Sequence, residues 1–173
     1  GGATTFTLGK ASFRNPDAEG TATGQYTLKP GTTGSIDLTA RLARASGAAV
    51  WRYMPKVVDP EVALWLRQSI LEGEAENVTL KLKGDLDRFP FADQSGTFRI
   101  AGNFSRGKLR YAPDWPQIDN IAGTLEFVGP RMTITAQSGN ILGTGIGPVK
   151  AEIADLDRSD AIAISGKARG ATA

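Results

Sequence analysis

Apolar and polar residues alternate one by one along most of this chain, and that period of two limits its fold more than any other feature. In GSIDLTARLARA, Ile36, Leu38, Ala40 and Leu42 fall on one side of an extended backbone, with Asp37, Thr39, Arg41 and Ala43 on the other. NVTLKLKG sets Val78, Leu80 and Leu82 against Thr79, Lys81 and Lys83. Phe98 and Ile100 flank Arg99, Leu109 and Tyr111 flank Arg110, and Met132, Ile134 and Ala136 alternate with Thr133 and Thr135. Successive side chains of a strand point to opposite faces, so the pattern describes sheet with one oily and one wet side. About eleven such runs, punctuated by glycine and proline, have the spacing of an antiparallel meander. TLKLKG (79–84), TFRIAG (97–102) and TLEFVG (124–129) share the form Thr–apolar–charged–apolar–x–Gly at unequal intervals. They read as one strand-then-turn unit used again, not as a fixed-period solenoid.

VDPEVALWLRQSIL breaks the rule with a helical rhythm. Asp59 suits the N-cap, Pro60 the first helical position, and Glu61 favours the helix dipole. Val62, Trp65, Leu66, Ser69 and Ile70 form an i, i+3, i+4, i+7, i+8 stripe, and Gly73 suits the residue after the helix. SGAAVWRYMP suggests a further helical turn ending at Pro55. The expected layout is a β segment over 1–45, a helical insertion over 46–73 and a second β segment over 74–173, together one elongated fragment of a larger protein. The fold class is mostly β, between all-β and α+β: a curled antiparallel meander with the amphipathic helix on its apolar concave face.

Composition narrows the function. The chain has 173 residues, 40% of them apolar, in the range of a folded domain. It contains no cysteine and no histidine, which removes thiolate chemistry and the usual neutral-pH acid–base group. A net charge of +2, with both signs interspersed, argues against a nucleic-acid partner. No apolar run approaches the roughly 20 residues that cross a bilayer. GGATTFTLGK lacks the layout of a signal peptide, so the chain is expected to start in the cytoplasm or within a longer protein. No enzyme activity, cofactor or metal is expected.

Individual motifs weigh little. GTGIGP (143–148) precedes a strand pattern and not a helix, so it lacks the anion site of a phosphate loop and reads as a turn or bulge. The acidic runs Asp85, Asp87, Asp93 and Asp155, Asp157, Asp160 lack the glycine and terminal Glu of a calcium loop and read as solvated turns. Asp114 and Asp119 allow a carbohydrate-active reading only in the sense that any acidic loop does. The sequons at Asn77 and Asn103 fall inside strand patterns. LRYAPDWPQID is more distinctive, because Tyr111 and Trp115 stand where a plain loop would be small and polar. They read as a plug against the sheet or as an aromatic rim.

WRYMPKVVDPEVALWLRQSI, then GDLDRFPF, then GKLRYAPDWPQIDNIAGTLEFVGPRMTITAQSG together resemble the middle region of the YhdP-type, AsmA-like proteins of Gram-negative bacteria, over roughly residues 34 to 157. That resemblance implies a central slice of a very long protein, anchored in the inner membrane by one N-terminal helix and otherwise periplasmic. It implies a bridge-like lipid transfer protein of repeating β-groove units that supports the outer-membrane permeability barrier.

The alternation is compatible with such a groove. Each methylene in water costs about 0.8 kcal/mol, so two exposed acyl chains cost on the order of 20 kcal/mol, and only an unbroken oily track removes that barrier. The expected lining is Val78, Leu80, Leu82, Phe98, Ile100, Leu125, Phe127, Met132 and Ile134. The helix stripe Val62, Trp65, Leu66 and Ile70 would cap the groove, with Tyr111 and Trp115 at its rim. The expected partner is phospholipid or a related lipid, with membrane contact made by parts of a longer protein and with sheet edges open to another copy. The rival reading is a scaffold β-sandwich of the envelope that binds nothing.

Overall fold

The computed structural model describes residues 2–53, 60–155 and 163–168. Among them are nine strands: β1 (Thr4–Arg14), β2 (Ala18–Leu28), β3 (Ser35–Ser46), β4 (Ile70–Asp85), β5 (Thr97–Leu109), β6 (Ile118–Val128), β7 (Arg131–Ile141), β8 (Thr144–Ile153) and β9 (Ala163–Ala168). Every strand pairs antiparallel with its neighbours in sequence, giving a single sheet in the order β1 to β9. The sheet is curled and unclosed, with β1 and β9 as its edges.

Nine strands stand where the alternation suggests about eleven, and bulges are the reason. Leu8 pairs with Gly24 and Ala11 with Ala22, which leaves one extra residue in β1. The same surplus occurs at Ala43 in β3, Asn77 in β4, Arg106 in β5, Asn120 in β6 and Gln137 in β7, and between Ile146 and Val149 in β8. Asn77, Arg106 and Asn120 have φ of 53°, 53° and 52°, the left-handed conformation in which a bulge accommodates its added residue. Each surplus residue breaks the period of two, so one bent strand reads as two short ones.

The bulges form a band across the sheet. A bulge bends its strand, so a strand of 11 residues such as β7, about 36 Å in contour, becomes two arms of about 15–20 Å. Ala18, Gly107, Gly123, Ala136 and Gly139 lie near this band and are buried, as the inside of a bend requires. The nine described strands, at about 4.8 Å spacing, extend the curled sheet over about 38 Å.

A 3₁₀ helix (Gly47–Tyr53) and α1 (Pro60–Ser69) connect β3 to β4. Asp59, expected as the N-cap, and Pro55 lie outside the described residues, as do Asp157 and Asp160. The helix stops at Ser69. Ile70, expected to end its apolar stripe, opens β4 and pairs with Leu109, and Gly73 lies within β4. The main contacts of the helix are with the 3₁₀ helix and β4. Antiparallel neighbours β3 and β4 end and begin at the same edge, so a helix of 10 residues, about 15 Å long, stays at that rim.

The described residues build no packed interior: their buried apolar side chains are Ala18, Ala49, Pro90, Phe91 and Ala136, and none of their large side chains is fully buried. The surface is 11336 Å², against about 8,100 Å² for a compact monomer of this size. No helix among the described residues is long and apolar enough to cross a membrane.

Candidate functional site

Residues directly opposite one another in paired strands share a face, so the register sorts the side chains. Ala40, Leu80, Ile100, Phe127, Met132 and Ile153 form one row across six strands. Leu38, Leu82 and Phe98 form the row beside it. On the other side, Leu42 pairs with Val78, and Gly102, Leu125, Ile134, Ala151 and Ile164 continue across β5 to β9. All nine residues expected to line a groove therefore lie in three adjacent rows of one face. All nine are half-buried, covered by neighbours at their sides and open above.

The face extends past the band of bulges. Phe98 and Leu109 differ in parity, yet the extra residue at Arg106 returns Leu109 to the same side, where it pairs with Ile118, and Ile118 with Ile141. Ile121 faces Gly107, and Ile146 faces Gly139. The period of two missed these residues because it had already failed at the bulge. Asn77 and Asn120 carried a usable signal, since asparagine tolerates the left-handed region better than most residues; Arg106 carried none.

Among the described strand residues, no charged side chain falls on this inner face; the charges pair on the other. Lys81 Nζ donates to Asp37 Oδ1 at 2.5 Å, and Lys83 reaches Asp37 Oδ2 at 3.1 Å. Hydrogen bonds from Lys81 and then Lys83 hold the Asp37 carboxyl below its ordinary range. Arg99 pairs with Glu126 at 2.7 Å, and Arg106 and Lys108 pair with Glu74 and Glu72. The bond to Glu72 raises the Lys108 ammonium above its ordinary value. Two shallow depressions, of about 330 and 350 Å³, also lie on this outer side, around Asn103 and Thr124 and around Arg44 and Arg106.

Each rim carries aromatic side chains. At the helical rim, Trp65 meets Tyr111 edge-on at 5.9 Å and donates Nε1–H to the Tyr111 carbonyl at 3.2 Å. Tyr111 meets Trp115 at 5.5 Å, and Trp115 is exposed. Leu66 is half-buried. Val62 lies within α1, and its side chain is outside the described residues. At the opposite rim, the turn between β4 and β5 brings Phe89 within 4.9 Å of Phe98, which stands 6.1 Å from Phe127. In the sequence this FPF figured only in the stretches that carry the resemblance, without a role.

The acidic turns have structural work. Asp85 accepts from the Asp87 amide, Asp87 from the Thr33 amide at 2.9 Å, and Asp93 from the Ser95 amide at 3.0 Å. The Thr33 and Ser95 bonds lower the Asp87 and Asp93 carboxyls. In the glycine-rich stretch, Leu142 and Gly143 have φ of 50° and 77°, the two positive values of a tight hairpin turn.

The family model described as YhdP protein matches residues 2–173. The intermembrane phospholipid transporter YhdP of Escherichia coli (strain K12) is 26% identical over 124 residues, covering 71% of this chain. The chain spans about 10% of that relative's length. No solved structure matches it.

Proposed function

The chain belongs to the YhdP protein family, and from that premise we propose that it is one stretch of a lipid-conducting trough in a bridge-like transfer protein. The observation that carries this reading is the inner face: apolar on both arms and, among the described strands, free of charge and without a second sheet over it. Arms of about 15–20 Å match the roughly 15 Å of one leaflet's acyl chains. Tails lie against the rows of Leu80, Ile100, Leu125, Phe127 and Ile134, and the headgroup stays at the open side, in water. The track holds lipid by burial alone and makes or breaks no bond, so the role is not enzymatic.

In the cell, this stretch spans part of the periplasm between the inner and outer membranes. It carries phospholipid tails that would otherwise face water and so supports the outer-membrane barrier. Membrane contact belongs to other parts of a longer protein. A scaffold sandwich fits less well, because the described strands form a single sheet whose apolar side lacks a second layer.

The test is native mass spectrometry on chain expressed in a Gram-negative host and purified without detergent. Co-purifying phospholipid is the expected result. Lipid-free protein with its fold intact would sink the proposal.

A further inference from the structure

Phe89 reaches the inner face from outside the sheet, on a turn that is built and held. The Leu86 amide donates to the Gly34 carbonyl at 2.9 Å, and Thr33 donates to Asp87 at 2.9 Å, tying the turn to the start of β3. Phe91, 4% exposed, closes over Gly84 and Gly96, where a Cβ would stand 2.7 Å from its ring. Anchored in this way, the Phe89 ring lies 4.9 Å from Phe98, and Phe98 lies 6.1 Å from Phe127. The step is local, because on β2 the inner face carries only Gly24 and Ala22 at the level of Leu38 and Ala40.

We infer that Phe89, backed by Phe98 and Phe127, is a fixed threshold that narrows the trough at β5 and β6 and selects lipids by the girth of their acyl chains. This rests on the lipid-conducting reading. A straight polymethylene chain slides along an aromatic edge, whereas methyl branches must displace the ring. The ring also meets the buried Phe91 edge-on at 6.1 Å, a neighbour that backs it against displacement. Phe89 is thus a specificity-determining side chain in direct contact with the passing tail.

The experiment offers the chain vesicles of dipalmitoyl or diphytanoyl phosphatidylcholine, which share headgroup and backbone length and differ in methyl branching. Bound lipid is counted by native mass spectrometry. Wild-type chain is expected to favour the straight lipid by about tenfold or more, as apolar pockets discriminate bulk. Phe89→Ala should bring the ratio close to unity by admitting the branched lipid, with Phe89→Leu between. A ratio unchanged in Phe89→Ala, or in Phe89→Leu where the alanine chain fails to fold, overturns the threshold and leaves the lipid reading standing. Equal uptake of both lipids by wild type does the same. Uptake of neither lipid by wild type and variants overturns the lipid reading itself.

Discussion

The two arms of each bent strand build the same oily face by different means. In the arm toward the Phe89 turn, residues 78–85, 97–104, 123–128 and 131–136 alternate without a break and carry bulky side chains such as Leu80, Phe98, Phe127 and Ile134. In the arm toward the helices, the alternation is interrupted at Asn77, Arg106, Asn120 and Gln137, and the face mixes Ile118, Ile121 and Ile146 with Gly107 and Gly139. The regular arm supplies area and the bulged arm supplies curvature. A trough needs both.

Charge placement tests whether the arms form one track. Leu125→Arg or Ile134→Arg in the regular arm should reduce co-purified lipid about a hundredfold, given the roughly 3 kcal/mol cost of a cation among acyl chains. A neutral polar residue at either position should be better tolerated. Ile121→Arg in the bulged arm should do the same; normal loading in that variant would confine the track to one arm.

Backbone spacing comes next. A Cβ at Gly123 would lie 2.1 Å from the Thr135 carbonyl oxygen and 2.8 Å from the Ala136 Cα, both backbone atoms that cannot step aside. Gly123→Val should cost about 2–3 kcal/mol in urea unfolding. At Gly139 the nearest atoms belong to the flexible Ile146 side chain at 3.1 Å, so Gly139→Ala should cost clearly less. Equal losses would mean that the bend is no tighter at Gly123 than elsewhere.

Conformation at the bulges is a smaller effect. Asn120→Val forces a branched residue into the left-handed region, at a cost of about 1–2 kcal/mol, whereas Asn120→Gly should be close to neutral. Thr124→Val, four residues beyond Asn120 in the regular arm, should stay within about 0.5 kcal/mol.

The smallest effect separates the arms by pH. Asp37, outside the regular arm, has its pKa lowered on folding by the hydrogen bonds from Lys81 and Lys83. Its contribution is present above the unfolded value and is lost as pH falls through the folded one. Lys108, outside the bulged arm, has its pKa raised on folding by Glu72. Its contribution is complete below the unfolded value and is lost as pH rises through the folded one. Asp37→Asn should therefore flatten only the acid limb of stability against pH, and Lys108→Gln only the alkaline limb. Both effects should fade in high salt, since all the groups involved are at least partly open to solvent.

What the sequence disclosed follows the same division. Wherever alternation ran unbroken, the strand, its oily side and its place in a meander were legible, from Ile36–Leu42 to Met132–Ala136. Where a bulge intervened, Leu109 and Phe98 looked like parts of separate strands, and Ile118, Ile121 and Ile146 were not placed on the face at all. The helix was legible through Pro60, Glu61 and its stripe. Its C-terminal limit was not, because cross-strand pairing of Ile70 with Leu109 outweighs the helical periodicity. Phe89 was noticed but not placed, since nothing local in FPF tells which surface a turn will fold onto. Tyr111 and Trp115 were expected at a rim or as a plug; Tyr111 packs against both Trp65 and Trp115.

The surplus residues in the strands have a genetic consequence. Removing Arg106 or Asn120 would leave the alternation on either side in step, so the oily side would stay oily while the strand straightened. Removing a neighbour such as Asn103 would instead turn Phe104 from the oily side to the wet one. Loss or gain of a single codon at the left-handed positions thus tunes how tightly the sheet folds on itself without changing which of its surfaces repels water: shape and polarity can be inherited, and altered, independently.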